Sequence, residues 1–260
     1  MNGAADFTSG KGHQDENFPV ASRLVRAELR PTILAFYRFA RAADDVADHE
    51  TAAPEQKLSQ LDRLEAFRRD VTKRRYADWS ELMDYCRYSA APVGRFVLDL
   101  HGEADALWPL NDALCAALQV INHLQDCAKD YRTLDRVYVP MDCLAAEGLD
   151  VDCLSAPRAS QRLRNVITGL ARRTADLLDQ SRPFAERIAD RRLALEVGVI
   201  QALAESLVRR LERRDPLSER VHHNAVETAC LAVRGGLAVA TRRLVRGAAA
   251  RQPRLHGSRG

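Results

Sequence analysis

Gln119-Val120-Ile121-Asn122-His123-Leu124-Gln125-Asp126-Cys127-Ala128-Lys129-Asp130 is a run that a helix sorts into two different faces. Gln119, Asn122, Asp126 and Asp130 step by three, four and four, so on an α-helix they share one side. Leu114, Leu118, Val120, Ile121 and Leu124 surround them with apolar side chains, and the spacing predicts a helix buried among others. Unpaired carboxylates on such a face cost several kcal/mol each. Hard divalent cations with oxygen ligands remove that cost. Mg²⁺ suits the donor set: it accepts one or two carboxylates, keeps several waters and bridges to phosphate.

A second run repeats the pattern. In Tyr37-Arg38-Phe39-Ala40-Arg41-Ala42-Ala43-Asp44-Asp45-Val46-Ala47-Asp48, the residues Tyr37, Arg41, Asp44 (or Asp45) and Asp48 lie three or four apart, with Ala and Phe on the other sides. Alone, either run reads as a solvated acidic helix face. Two together, each carrying Arg, Asn or Gln beside its carboxylates, read as the halves of a clamp for Mg²⁺ and a diphosphate.

The rest of the chain fits an all-α fold. Three sets of apolar residues keep the 3–4 spacing of a helix face. They are Leu163, Val166, Ile167, Leu170, Thr174, Leu177 and Leu178; Ile200, Leu203, Leu207, Val208 and Leu211; and Val226, Cys230, Val233, Leu237, Ala240 and Leu244. Pro31, Pro54, Pro92, Pro109, Pro140, Pro157, Pro183 and Pro216 punctuate the helices. Arg136-Val137-Tyr138-Val139-Pro140 reads as a short extended exit from a helix. No alternating strand set, internal repeat, P-loop, Gly-x-Gly-x-x-Gly or Gly-x-Ser-x-Gly occurs. Residues 1–15 read as a disordered leader, 16–246 as one domain, and 247–260 as a basic flexible tail.

Of the 260 residues, 46% are hydrophobic and 29% charged, which excludes a disordered chain. A net charge of +3 is too small to indicate nucleic acid. The six cysteines include no Cys-x-x-Cys pair and read as reduced thiols. Neither a secretory h-region nor a membrane-length apolar run is visible, so the expected location is cytoplasmic, with at most peripheral attachment at the inner face of the membrane. His222-His223 reads as a solvated pair and His123 as a packed histidine. The arginine pairs Arg209-Arg210, Arg213-Arg214 and Arg242-Arg243 read as solvated helix faces that could also meet anionic lipid.

These runs resemble the squalene/phytoene synthase family of trans-isoprenyl diphosphate synthases. Asp44–Asp48 with Tyr37 and Arg41 is similar to the family's first aspartate motif, and Gln119–Asp130 to its second. Arg136–Pro140 is similar to the segment after it, and Tyr85-Cys86 with Ala90-Ala91-Pro92-Val93-Gly94 to the tyrosine-containing helix between the motifs. Glu16-Asn17-Phe18-Pro19-Val20-Ala21-Ser22 and Phe67-Arg68-Arg69-Asp70-Val71-Thr72-Lys73, followed by Arg75-Tyr76, resemble the subgroup that forms hydroxysqualene in bacterial hopanoid pathways. Gln125 stands where many squalene and phytoene synthases carry Arg. The two motifs are closer in sequence than the family's, with an apparent junction near Leu64-Glu65-Ala66.

The resemblance implies a single-domain helical bundle with a central cavity, shortened between the motifs. It implies an isoprenoid diphosphate substrate, Mg²⁺, and metal ligation by Asp44, Asp48, Asn122, Asp126 and Asp130. Tyr37 and Arg41 join those aspartates as catalytic residues. Phe18, Tyr37, Arg41, Tyr85, Gln119, Asn122, Gln125, Arg136 and Tyr138 would contact substrate. The implied reaction is conversion of presqualene diphosphate to hydroxysqualene. The alternatives are head-to-head condensation of two farnesyl diphosphates to presqualene diphosphate, squalene or dehydrosqualene, and an inactive, shortened scaffold of a lipid-synthesis complex. Expected partners are the diphosphate substrate, the membrane surface and other squalene-pathway enzymes, with no nucleic acid.

Overall fold

Side-chain caps and prolines start the helices where the sequence punctuates them. A computed structural model describes residues 28–30, 32–34 and 73–250, with side chains as far as 245. The helices are α1 (Trp79–Ser89), α2 (Ala91–Leu100), α3 (Trp108–Leu134), α4 (Met141–Ala146), α5 (Gln161–Ser181), α6 (Phe184–Arg187), α7 (Arg191–Leu211) and α8 (Ala225–Ala250). Asp78, Ser160 and Asp190 accept hydrogen bonds from free amides in the first turns of α1, α5 and α7. Pro92 and Pro109 occupy the first turns of α2 and α3, where no amide donor is needed.

Long α3 packs on α5, α5 on α7, and α7 on α8, while α1 and α2 cover the near end of α3. The core runs through Ala117, Ile121 and Leu124 of α3, Leu163, Ile167 and Leu170 of α5, and Ala204, Leu207 and Leu211 of α7. The first two apolar sets of the sequence therefore face inward, apart from the half-buried Leu177 and Ile200. The third set departs from that rule: α8 forms, but Val226, Val233, Leu237 and Leu244 of the set point to solvent. Its packed side is instead Gly235 and Val239, where Gly235 lets the backbones of α7 and α8 approach: a Cβ there would lie 2.6 Å from the Gly198 carbonyl oxygen.

Among the described residues there is no strand, only one parallel bridge between Arg75 and Val137. It marks the extended exit expected at Arg136–Pro140. α3 ends at Asp135, which adopts the left-handed conformation (φ 50°) that closes a helix. Asp135 then pairs with Arg75 at 2.5 Å and Arg74 at 3.0 Å. The Val137 amide donates to the Arg74 carbonyl and the Met141 amide to the Tyr76 carbonyl, both at 2.9 Å. This clips the exit of α3 to residues 74–76.

Candidate active site

The aspartate face of α3 is set by helix phase alone. Gln119, Asn122, His123, Asp126 and Asp130 lie on one side of α3, and all are half-buried. Gln119 is within 3.1 Å of His123, amide nitrogen to Nε2. Cys127, beside the aspartates, is pushed up to about 12 by burial and by the charges of Asp130 and Asp126, so it is a neutral thiol.

An aromatic wall stands against this face. The His123 ring stacks on Tyr138, with centroids 3.4 Å apart and planes 11° apart. Tyr138 stacks in turn on Tyr76 at 5.4 Å, and Tyr85 lies within 5.3–5.8 Å of Tyr76, Tyr138 and His123. Burial, with the Arg136 guanidinium nearby, pushes the His123 imidazole down to about 3. It is therefore a neutral ring near pH 7, held in the aromatic stack. Tyr85, Tyr138 and Arg136 thus gather with the second aspartate motif. Tyr76 belongs to the same wall, and the sequence marks it only by its place beside Arg75.

Gln125 sits apart from the aspartate ladder by its helix phase. It is buried, and its Nε2 donates to the Val221 carbonyl at 2.7 Å. That bond draws the α7–α8 loop onto α3, and it brings His222 to Asp126. Burial lowers the pKa of His222 while the Asp126 carboxylate pulls the other way. His223 meets Ser206 Oγ at 3.0 Å. Both histidines are half-buried, which corrects the reading of a solvated pair.

Phe18, Tyr37, Arg41, Asp44 and Asp48 lie outside the described residues. Among the described residues no three His, Cys, Asp or Glu side chains converge as a complete cation site. The donors present, Asp126 and Asp130 with Asn122 on the same face, are all oxygens and fit a hard cation as one half of a clamp. A groove between α7 and α8, about 290 Å³ and bordered by Gln201, Glu205, Arg234 and Arg242, includes none of the expected site residues.

The squalene/phytoene synthase family model matches residues 11–66 and 60–227. The chain belongs to the squalene/phytoene synthase family. It is an isoprenoid-synthase enzyme, of a family that is metal-dependent and acts on isoprenoid diphosphates. It is similar to hydroxysqualene synthase of Zymomonas mobilis, at 52% identity over 88% of this chain and 90% of that protein. It is 50% identical to hydroxysqualene synthase of Rhodopseudomonas palustris over 87% of this chain and 90% of that protein. Among solved structures, squalene synthase from Alicyclobacillus acidocaldarius aligns with a TM-score of 0.66 and 31% identity, covering 74% of this chain and 86% of that one. A dehydrosqualene synthase shares the fold with a TM-score of 0.74 at 18% identity, covering 85% of this chain and 90% of that one.

The two matched parts of the family model meet at residues 60–66, where the sequence places its junction. The alignment to the Zymomonas protein runs over 266 residues although only 88% of this chain takes part. That relative therefore carries residues with no counterpart here. Among the described residues, no helix is long and apolar enough to cross a membrane.

Proposed function

We propose that this enzyme converts presqualene diphosphate to hydroxysqualene. The observation that carries the reading is its 45–52% identity with three hydroxysqualene synthases. Bacterial and chloroplast phytoene synthases lie at 26–32%.

In this reading, the carbon–oxygen bond of the substrate breaks and the electron pair leaves with the diphosphate. The resulting cyclopropylcarbinyl cation rearranges. Water then adds through its oxygen and gives up one proton, leaving an alcohol. Mg²⁺ bound through Asp126, Asp130 and Asn122 on one helix, and Asp44 and Asp48 on the other, would supply Lewis-acid stabilisation of the departing diphosphate. Arg41 and Arg136 donate hydrogen bonds to the leaving oxygens, with Tyr138 and Tyr37. Gln119 orients His123, and half-buried Tyr85, backed by the stacked rings of Tyr76, Tyr138 and His123, presents negative π-density to the cation. Phe18 adds a further aromatic face. Neutral His123 stacked on Tyr138 adds no positive charge of its own to this wall.

The test is direct. The purified chain is incubated with presqualene diphosphate or farnesyl diphosphate, with and without Mg²⁺ and NADPH, and extracts are read by mass spectrometry. An alcohol from presqualene diphosphate, made with Mg²⁺ and without NADPH, is the expected result. A hydrocarbon product, or turnover of farnesyl diphosphate, would replace this reading with the condensing one.

A further inference from the structure

Among the described helices, α8 turns its apolar side to solvent. Val226, Val233, Leu237 and Leu244 of α8 are 62–75% exposed, as is Val245 at 64%, and Cys230 is also exposed. Steps of four, three, four and seven from Val226 through Cys230, Val233 and Leu237 to Leu244 put these side chains in one stripe. The stripe runs ~27 Å along the helix at 1.5 Å per residue. It lies opposite the packed side formed by Gly235 and Val239, so α7 does not cover it. Among the described residues, only Tyr88 and Val93 are large apolar residues exposed outside α8.

Charge is segregated onto the same end of the chain. Residues 228–260 carry seven of the 39 Lys and Arg and none of the 36 Asp and Glu. The first 227 residues are therefore slightly acidic, and the excess positive charge of the protein resides entirely in this segment. Exposed Arg234 stands one turn from both Cys230 and Leu237, at the border of the stripe. Arg242 and Arg243 are held on the packed side, by Glu186 at 3.2 Å and by the Ile188 carbonyl at 2.7 Å. The acidic group of the first turn, Glu227, is paired with Arg210 at 2.5 Å.

We infer that α8 is an interfacial helix that docks the enzyme on an anionic lipid bilayer. Its apolar stripe enters the headgroup region, Arg234 at the border of the stripe meets the lipid phosphates, and the net positive charge of residues 228–260 draws the helix to an anionic surface. A second copy of the chain is a poorer occupant, because paired stripes would bring two such cationic segments together. The helix lies in the surface plane and does not span it, since no described helix is apolar enough to cross.

Sedimentation with vesicles tests this, using the full chain. Vesicles of phosphatidylglycerol and phosphatidylcholine in equal parts should carry the protein down, and phosphatidylcholine alone should not. The variant L237S/L244S changes only exposed side chains. Its circular dichroism should match the parent while its partitioning falls on the order of tenfold or more. Cys230 supplies a native probe: maleimide labelling, located by peptide mass spectrometry, should be fast in the lipid-free monomer and slow with anionic vesicles. The inference fails if anionic vesicles do not bind, or if L237S/L244S binds them as the parent does. It fails equally if Cys230 is already protected without lipid, because the chain itself or a second copy, visible as a dimer by sedimentation velocity, then covers the stripe.

Discussion

Gln125 and Val221, 96 residues apart in sequence, are joined by a buried 2.7 Å hydrogen bond from the Gln125 side-chain amide to the Val221 carbonyl. The bond ties the α7–α8 loop to the second aspartate motif, one residue away from both Asp126 and His222. Truncation, Gln125→Ala, leaves that carbonyl buried without its donor, at a cost of about 1–3 kcal/mol. For a chain of this size that is roughly 2–4 °C in Tm per kcal/mol. Thermal unfolding of the variant should show the drop. An unchanged Tm with weakened substrate binding would move Gln125 from the loop to the ligand.

Asp126 and Asp130 are half-buried on the site face of α3 and lie outside the hydrophobic core. Replacing either by Asn keeps the shape and removes the charge. Turnover of presqualene diphosphate should fall on the order of 100-fold, by analogy with losing one preorganised electrostatic partner of a transition state. The far-ultraviolet circular dichroism should be unaltered. Retained turnover in both variants would remove the cation clamp from the mechanism.

The sequence made α3 readable because a helix with one apolar and one polar side imposes a 3–4 period that few other structures share. The same period found α5 and α7, and the β-like Arg136–Pro140 stretch read correctly as an extended exit. What the period cannot say is which neighbour covers a face. The α8 stripe has the same pattern as the buried stripe of α5, yet Gly198 and Gly235 turn the opposite side of α8 toward the core. His222 escaped for another reason. Its approach to Asp126 depends on a loop pinned by Gln125 and Asp215, contacts between residues distant in sequence that leave no periodic trace.

Asp215 anchors that loop at its other end and makes its stability depend on pH. Its carboxylate accepts from the Ala159 amide at 2.9 Å, the Leu217 amide at 3.0 Å and the Ser218 hydroxyl at 2.7 Å. Burial pushes the group up, but these donors and the Arg164 charge outweigh it and hold the carboxyl below its usual range. A depressed folded-state pKa stabilises above the unfolded value of about 3.9, and that contribution is lost as pH falls through the folded value. Asp215→Asn should therefore be less stable than the parent at pH 7, by about 1–3 kcal/mol. The gap should begin to narrow below about pH 5 and close as pH falls through the depressed folded value. Urea unfolding at several pH values measures both; a gap constant with pH would mean that the charge on Asp215 contributes nothing.

Neighbouring glycines in α8 should respond oppositely to the same substitution. At Gly235 an added Cβ meets the Gly198 carbonyl oxygen at 2.6 Å and the Ala202 methyl at 3.0 Å, and a backbone oxygen cannot swing aside. Overpacking of that kind costs about 1–3 kcal/mol. It outweighs the gain of about 1 kcal/mol that alanine has over glycine in a helix. At Gly236 a Cβ meets nothing within 4 Å, so only the propensity gain remains. Gly235→Ala should lower Tm and Gly236→Ala should raise it. Equal shifts of one sign would show that α8 does not cross α7 at Gly198, and with that crossing would go the outward orientation of its apolar stripe.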